Sequence, residues 1–298
     1  MNEVKIRVPA TSANLGPGFD ALGLAVSLYH TITLSEAEKT SVYVHRRLMP
    51  DGERNNLILK AARMVYDRAG APQPAGFSLI QESFIPSARG LGSSAACVAG
   101  GLLAANRLLG DPLSAEELLK MGVQLEGHPD NLVPAFFGGF CVSGMEEDRL
   151  LYARCEVKRK LRFVALVPDF RMRTSESRAA LPESLERQKI ATQIAASSLV
   201  TSAFFSGRYE LLAAAKWDHL CTPARLNLIP GGKELVRLAE ENGALTAVIS
   251  GAGSSVLAVF DSPSPEIDRL VSTVKQADLP VPVRCLRLKA DNRGARFL

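Results

Sequence analysis

The sequence predicts a fold of mixed strands and helices, organised around a small-residue loop that opens a long apolar helix. Three observations lead there. Val4-Lys5-Ile6-Arg7-Val8 alternates apolar and polar side chains, the period of a half-buried strand. Leu57, Ile58, Ala61, Met64 and Val65 recur at helical spacing and make one apolar stripe. Ile85-Pro86-Ser87-Ala88-Arg89-Gly90-Leu91-Gly92-Ser93-Ser94-Ala95-Ala96 is a run of small side chains leading into an apolar stretch.

A chain of 298 residues has room for one large domain or two modest ones, and 47% hydrophobic content supplies a sizeable core. A net charge of +4 suits acidic small substrates and is too small to argue for nucleic acid. Cys97, Cys141, Cys155, Cys221 and Cys285 are scattered and form no C-x-x-C pair, which reads as reduced thiols in a cytosolic protein. Met1-Asn2-Glu3-Val4-Lys5 has no signal-peptide pattern, and no apolar run reaches membrane-spanning length. The expectation is a cytoplasmic protein with neither a nucleic-acid nor a membrane partner.

In chain order, Val4–Val8 is the first strand, and Pro9 is expected to end it. Residues 10–20 then read as a loop, in which Asn14 and Asp20 offer a donor and an acceptor among glycines; the plainer reading is a surface turn. Leu22–Leu34 continues the sheet, residues 55–69 form a helix broken by residues 71–74, and Phe77–Phe84 is a strand. After the small-residue loop, Val98, Leu102, Leu103 and Leu109 give the next helix its apolar face, and Asp111-Pro112 stops it. Ser114 and Glu117 form a capping box for a helix that runs into Glu126-Gly127-His128-Pro129-Asp130-Asn131. Residues 157–160 are basic and Leu161–Pro168 restarts a strand, which sets the expected domains at 1–155 and 156–298. Helices are expected over Ile190–Phe205 and Tyr209–Trp217. Residues 247–250, the glycine turn 251–253 and residues 254–259 make a strand, a turn, and a strand or helix; by itself this is a tight hairpin. Arg284, Arg287, Lys289, Arg293 and Arg296 read as a solvated basic face.

The loop at 85–96 carries the chemistry. Gly90 and Gly92 let the backbone bend and approach a ligand, and Ser93 and Ser94 are good helix starters. The first amides of a helix lack internal partners and sit at the positive end of its dipole, so the loop is an anion site suited to phosphate. A P-loop is excluded, because no Lys precedes Ser93-Ser94. A dinucleotide fingerprint matches Gly90-x-Gly92-x-x-Ala95 with Asp111 beyond it, but residues 86–89 separate this loop from its strand. A serine-capped core helix is the structural alternative.

Four motifs narrow the choice. Pro86-Ser87-Ala88-Arg89-Gly90-Leu91-Gly92-Ser93-Ser94-Ala95 resembles the ATP loop of the GHMP kinases. Pro9-Ala10-Thr11-Ser12-Ala13-Asn14-Leu15-Gly16-Pro17-Gly18-Phe19-Asp20 is similar to the opening signature of homoserine kinases. So is His128-Pro129-Asp130-Asn131 with Pro134 and Gly138-Gly139. Gly251-Ala252-Gly253 matches the family's C-terminal glycine turn, although the family more often has Pro where this chain has Ser254. The resemblance implies a two-domain α+β GHMP kinase fold. Its N-terminal domain would resemble domain 2 of ribosomal protein S5, and its C-terminal domain would be ferredoxin-like. The implied reaction transfers the ATP γ-phosphoryl group to the side-chain hydroxyl of L-homoserine, a step towards threonine, with Mg²⁺ as the metal.

The family roles fall on residues of this chain. Residues Pro86 to Ala96 would cradle ATP. Asp20 would meet the substrate ammonium, Arg178 and Arg225 its carboxylate, with Asn14 and His128 nearby, and Asn131 would hold the reacting hydroxyl. Arg178 comes from Thr174-Ser175-x-x-Arg178, and Arg225 from Pro223-Ala224-Arg225. The family usually has a metal-holding Glu where this chain has Gln124, so the metal role passes to Glu126 with Ser94. Asp130 matches an aspartate often assigned as base in mevalonate-kinase-like relatives, or it fixes its own turn. A homodimer is the family-like assembly. The rivals are a dinucleotide-dependent oxidoreductase and a non-catalytic nucleotide-binding relative.

Overall fold

The alternating start becomes β1 (Glu3–Asn14), with Val4, Ile6 and Val8 buried and Glu3 and Lys5 exposed. The structure, a computed structural model, describes residues 2–158, 160–261 and 265–298. β1 does not end at Pro9. The pairing register with β2 (Gly18–Ala37) shifts between Pro9 and Ala10, so the proline sits at an irregularity of the ladder, where its missing N–H is tolerated. The segment expected as loop is therefore strand up to Asn14, and its small side chains are buried. The turn itself is residues 15–17.

β2 is long enough to serve two neighbours. Its second half, from His30, pairs with β5 (Gly76–Ser83), and Leu22–Leu24 pairs with β6 (Phe140–Glu146). β3 (Ser41–Val44) lies parallel to β5 and carries β4 (Arg47–Leu48), while β7 (Arg149–Cys155) pairs with β6. The chain end returns as β12 (Arg296–Phe297) on the free edge of β1. Four helices pack with this sheet: α1 (Leu57–Ala69), α2 (Ser93–Leu108), α3 (Ala115–Glu126) and α4 (Leu132–Phe137). Asn56 caps α1 by accepting from the amides of Ile58 and Leu59. Ser114 and Glu117 form the expected capping box.

The second sheet is antiparallel among the described residues, in the order β11 (Val283–Leu288), β8 (Arg162–Pro168), β10 (Val256–Phe260), β9 (Thr246–Ile249). Strand alternation divides its side chains between two cores. Val164, Leu166, Ala258 and Phe260 pack with α8 (Gly232–Glu241) and α9 (Pro265–Gln276). Phe163, Ala165, Val167 and Leu257 turn the other way and join the main core, with Val200 and Phe204 of α6 (Arg187–Ser206). The segment after the glycine turn is a strand, not a helix. Tyr209–Trp217 is a 3₁₀ helix. Two short helices, α5 (Thr174–Ala179) and α7 (Thr222–Leu226), stand over the cleft described below. No helix of the described residues is long and apolar enough to cross a membrane.

Of the C-terminal basic residues, Arg284, Arg287, Lys289 and Arg293 are exposed as expected, and Arg296 departs from that face. Arg296 is half-buried, 2.9 Å from the buried Asp291 and over the Tyr29 ring, and Arg287 pairs with Asp268.

Candidate active site

The end of β1, the 86–95 loop, the α3–α4 turn, α5, α7 and the β9–β10 turn converge on one cleft. The loop takes its shape from positive-φ residues: Gly90 at 74° and Gly92 at 68°, where a Cβ would lie 2.0 Å from Ser250 O and 1.9 Å from Thr11 Oγ1. The β9–β10 turn braces it. Ser250 Oγ donates to Gly90 O at 2.6 Å, and Ser255 N donates to Arg89 O at 3.1 Å. This is more than a tight hairpin, because its residues form one wall of the cleft.

Gly92, in the left-handed region, is the N-cap of α2, and no side chain caps the helix. The serine-capped alternative is thereby overturned. The first bond within α2 runs from Ala96 N to Gly92 O, so the amides of Ser93, Ser94 and Ala95 have no partner inside the helix. All three residues line the cleft, as do Pro86, Ala88, Gly90, Leu91 and Gly92; Ser87 and Ala96 do not. The Arg89 guanidinium is held by Ser87 O, Pro168 O and Asp169, so it braces the loop rather than standing free.

α3 ends at Glu126, which brings its carboxylate to the second residue of α2. Ser94 Oγ donates a short hydrogen bond to Glu126 Oε1. Burial pushes the Glu126 carboxyl above its ordinary value, against the Ser94 hydrogen bond that favours the charged form. Gln124 is exposed and does not line the cleft. The departure from the family pattern therefore lies outside the site.

Beyond Gly127 the chain folds back through His128, Asp130 and Asn131. Asp130 is 2% exposed. Its Oδ1 makes a short contact with His128 Nδ1 and accepts from Asn131 Nδ2 at 3.2 Å. Burial would lower the pKa of His128, but the Asp130 hydrogen bond and charge outweigh it, and the net direction is up. Ligand atoms of Asp20, His128 and Asp130 lie within 4.8 Å of one another.

At the other wall Asp20 receives a two-pronged contact from Arg178, at 2.9 and 2.8 Å. Arg178 and Arg225 both lie over the Phe19 ring, 5.2 and 5.5 Å from its centroid. Arg225 is 2% exposed and donates to Gly251 O at 2.8 Å, while its Nε has no partner among the described residues. Asp218 fixes the start of α7 by accepting from the amides of Leu220, Cys221 and Thr222. Asn14 lines the cleft, but its amide is engaged: it donates to Gly251 O and accepts from Asp20 N, both at 3.0 Å.

The sequence-predicted residues Asn14, Asp20, Glu126, His128, Asp130, Asn131, Arg178 and Arg225 thus all meet in the cleft that the loop lines. Sequence reasoning missed Phe19, the shared platform of the two arginines, and Thr11, which bonds Asn131. Both stood inside the quoted opening signature.

Two family models and full-length relatives match this chain. Residues 56–139 match the GHMP kinases N terminal domain, and residues 201–277 match the GHMP kinases C terminal model. The chain is 37% identical over 294 residues to a homoserine kinase of Clostridium botulinum, covering 98% of this chain and 97% of that protein. It is 39% identical to a homoserine kinase of Caldicellulosiruptor saccharolyticus, covering 98% and 96%. The crystal structure of homoserine kinase from Cytophaga hutchinsonii superposes with a TM-score of 0.86 at 24% identity, covering 100% of this chain and 98% of that one, which is a likeness of fold. The loop, the two outer motifs and full-length relatives at this identity lead to one conclusion: the chain belongs to the homoserine kinase family of the GHMP kinases.

Proposed function

We propose that this protein phosphorylates the side-chain hydroxyl of L-homoserine with ATP, giving O-phospho-L-homoserine and ADP. One observation carries the reading. The cleft that holds the unpartnered amides of α2 also holds a carboxylate and two guanidiniums, the complement of an α-amino acid zwitterion. Residues 84–92 separate β5 from α2, so the glycine loop is not the direct strand-to-helix turn of a dinucleotide site. A non-catalytic relative would not be expected to keep Asn131 beside both parts.

The amides of Ser93, Ser94 and Ala95 receive the phosphates at the helix N-terminus. Arg178 and Arg225 take the substrate carboxylate, Arg225 through guanidinium atoms not already spent on Gly251, and Asp20 takes the ammonium. Asn14 holds the Asp20 backbone, and the Asp130 carboxylate beside His128 favours the charged form of the imidazole. Asn131 bridges the two regions. It bonds Asp130, which lies near Asp20, and its Oδ1 is 3.1 Å from where a Cβ on Gly92 would be. Asn131 Nδ2 holds the hydroxyl oxygen in line. The phosphoryl transfer state is loose, so the hydroxyl proton leaves late, and positioning carries most of the rate.

Ser94 and Glu126 fit Mg²⁺: both offer hard oxygen atoms, they touch each other at the loop, and a partly buried carboxylate gains from a cation. When bound there, Mg²⁺ would offset phosphate charge. The test is ADP release, measured over homoserine, mevalonate, galactose and shikimate. Homoserine alone should support turnover, and Ser94→Ala and Glu126→Gln should shift the Mg²⁺ dependence with homoserine binding kept. Turnover with another acceptor and not with homoserine refutes the assignment.

A further inference from the structure

We infer that Thr11 is a positioning residue for phosphoryl transfer: its buried hydroxyl sets the amide of Asn131 so that Nδ2, not Oδ1, is offered to the acceptor hydroxyl. The inference rests on the reading that Asn131 meets that hydroxyl. Thr11 does not line the cleft and is fully buried in β1. Its Oγ1 lies 2.8 Å from Asn131 Oδ1, across 120 residues of sequence.

The orientation of that amide follows from its two neighbours. Asp130 Oδ1 already lies against His128, and a carboxylate oxygen accepts and does not donate. The Asn131 atom 3.2 Å from it must therefore be the nitrogen. The atom facing Thr11 is then the carbonyl oxygen, and the Thr11 hydroxyl must be the donor. Asp130 and Thr11 grip the amide from opposite ends, which leaves the second N–H of Nδ2 for a ligand oxygen.

Thr11 also belongs to the phosphate side of the cleft. Its backbone N donates to Leu91 O at 3.2 Å, and its hydroxyl occupies the space against Gly92 that a Cβ would need. One β1 residue thus ties the loop before α2 to the group that orients the acceptor. Removing the hydroxyl leaves Oδ1 without its donor and the amide held at one end. A half-buried acceptor left without its donor, with a nucleophile misaligned, corresponds to about a ten- to hundredfold loss in rate.

The experiment compares Thr11→Val, which keeps the shape, with Thr11→Ser, which keeps the hydroxyl, each in the wild-type and Asn131→Ala backgrounds. Steady-state homoserine kinetics and melting temperatures are measured for all. Thr11→Val should lower kcat about ten- to hundredfold with KM for ATP nearly unchanged. Thr11→Ser should retain most of kcat, and Thr11→Val should cost nothing further once Asn131 is Ala. A Thr11→Val variant that melts lower at unchanged kcat, an equal loss in both backgrounds, or a Thr11→Ser variant as slow as Thr11→Val would each overturn the inference. Wild-type protein that does not turn over homoserine would instead refute the functional reading beneath it.

Discussion

Asp20 and Arg178 neutralise each other in a fork about a third exposed, so a ligand that takes the paired face of either separates them. A zwitterion replaces both lost partners at once, whereas an anion lacking the ammonium leaves Asp20 unpaired. Asp20→Asn should therefore act in opposite directions on two ligands. Its kcat/KM for homoserine should fall at least ~30-fold. Inhibition by 4-hydroxybutyrate should tighten roughly two- to fivefold, the scale of a half-exposed ion pair set free. Weaker inhibition in the variant would show that Arg178 does not take the carboxylate. Asp130 has a different character. Buried and bonded to His128 and Asn131, it holds the turn. Asp130→Asn, if folded, should lose less than the ~10²–10⁴-fold typical of a general base, and Asn131→Ala should lose more. A loss of ~10³-fold or more in Asp130→Asn, with an acidic limb of the kcat–pH profile abolished, would make Asp130 the base. At this scale the sequence was informative about which residues gather, because the motifs name them. It could not show that Asn14 and Arg89 would be occupied by backbone and loop partners, since those bonds join segments distant in sequence.

Local elements were legible where local chemistry decides them. The α1 stripe, the Ser114–Glu117 capping box and the β5 strand form as their patterns require. Elements decided by tertiary context were not. Pro9 fails to end β1 because β2 continues to pair beyond an irregularity, and the small residues after it are held by burial rather than by strand propensity. Ser93 and Ser94 look like caps, yet Gly92 takes that place because the loop must leave in a left-handed conformation. Gly92→Ala brings both strain and a collision with Thr11. It should raise KM for ATP about tenfold or more and lower the melting temperature. An unchanged KM for ATP would detach the loop from phosphate binding.

Across the molecule, the main core draws on both sheets, so the cleft between them is supported by residues far from its chemistry. His30 is one such residue. It is 1% exposed on β2, its Nδ1 lies 3.6 Å from Cys97 Sγ of α2, and burial lowers its pKa to about 4. The neutral ring is the folded form, while the unfolded chain binds a proton below its ordinary value. Stability from this group is thus present above about pH 6.5 and lost as pH falls through about 4. His30→Gln should remove about 3 kcal/mol of the acid-induced loss between those limits, measured by urea unfolding; an equally acid-sensitive variant would place the charge elsewhere. The two-sheet plan was legible through the motifs and not through periodicity, since β9–β10 read alone as a mere hairpin. The account as a whole depends on where the phosphoryl group goes. Phosphorus NMR of protein incubated with ATP, Mg²⁺ and L-homoserine tests that most directly. The predicted result is a phosphate monoester coupled to the terminal methylene of homoserine, formed in step with ADP. ADP with only inorganic phosphate, or no reaction, would contradict it.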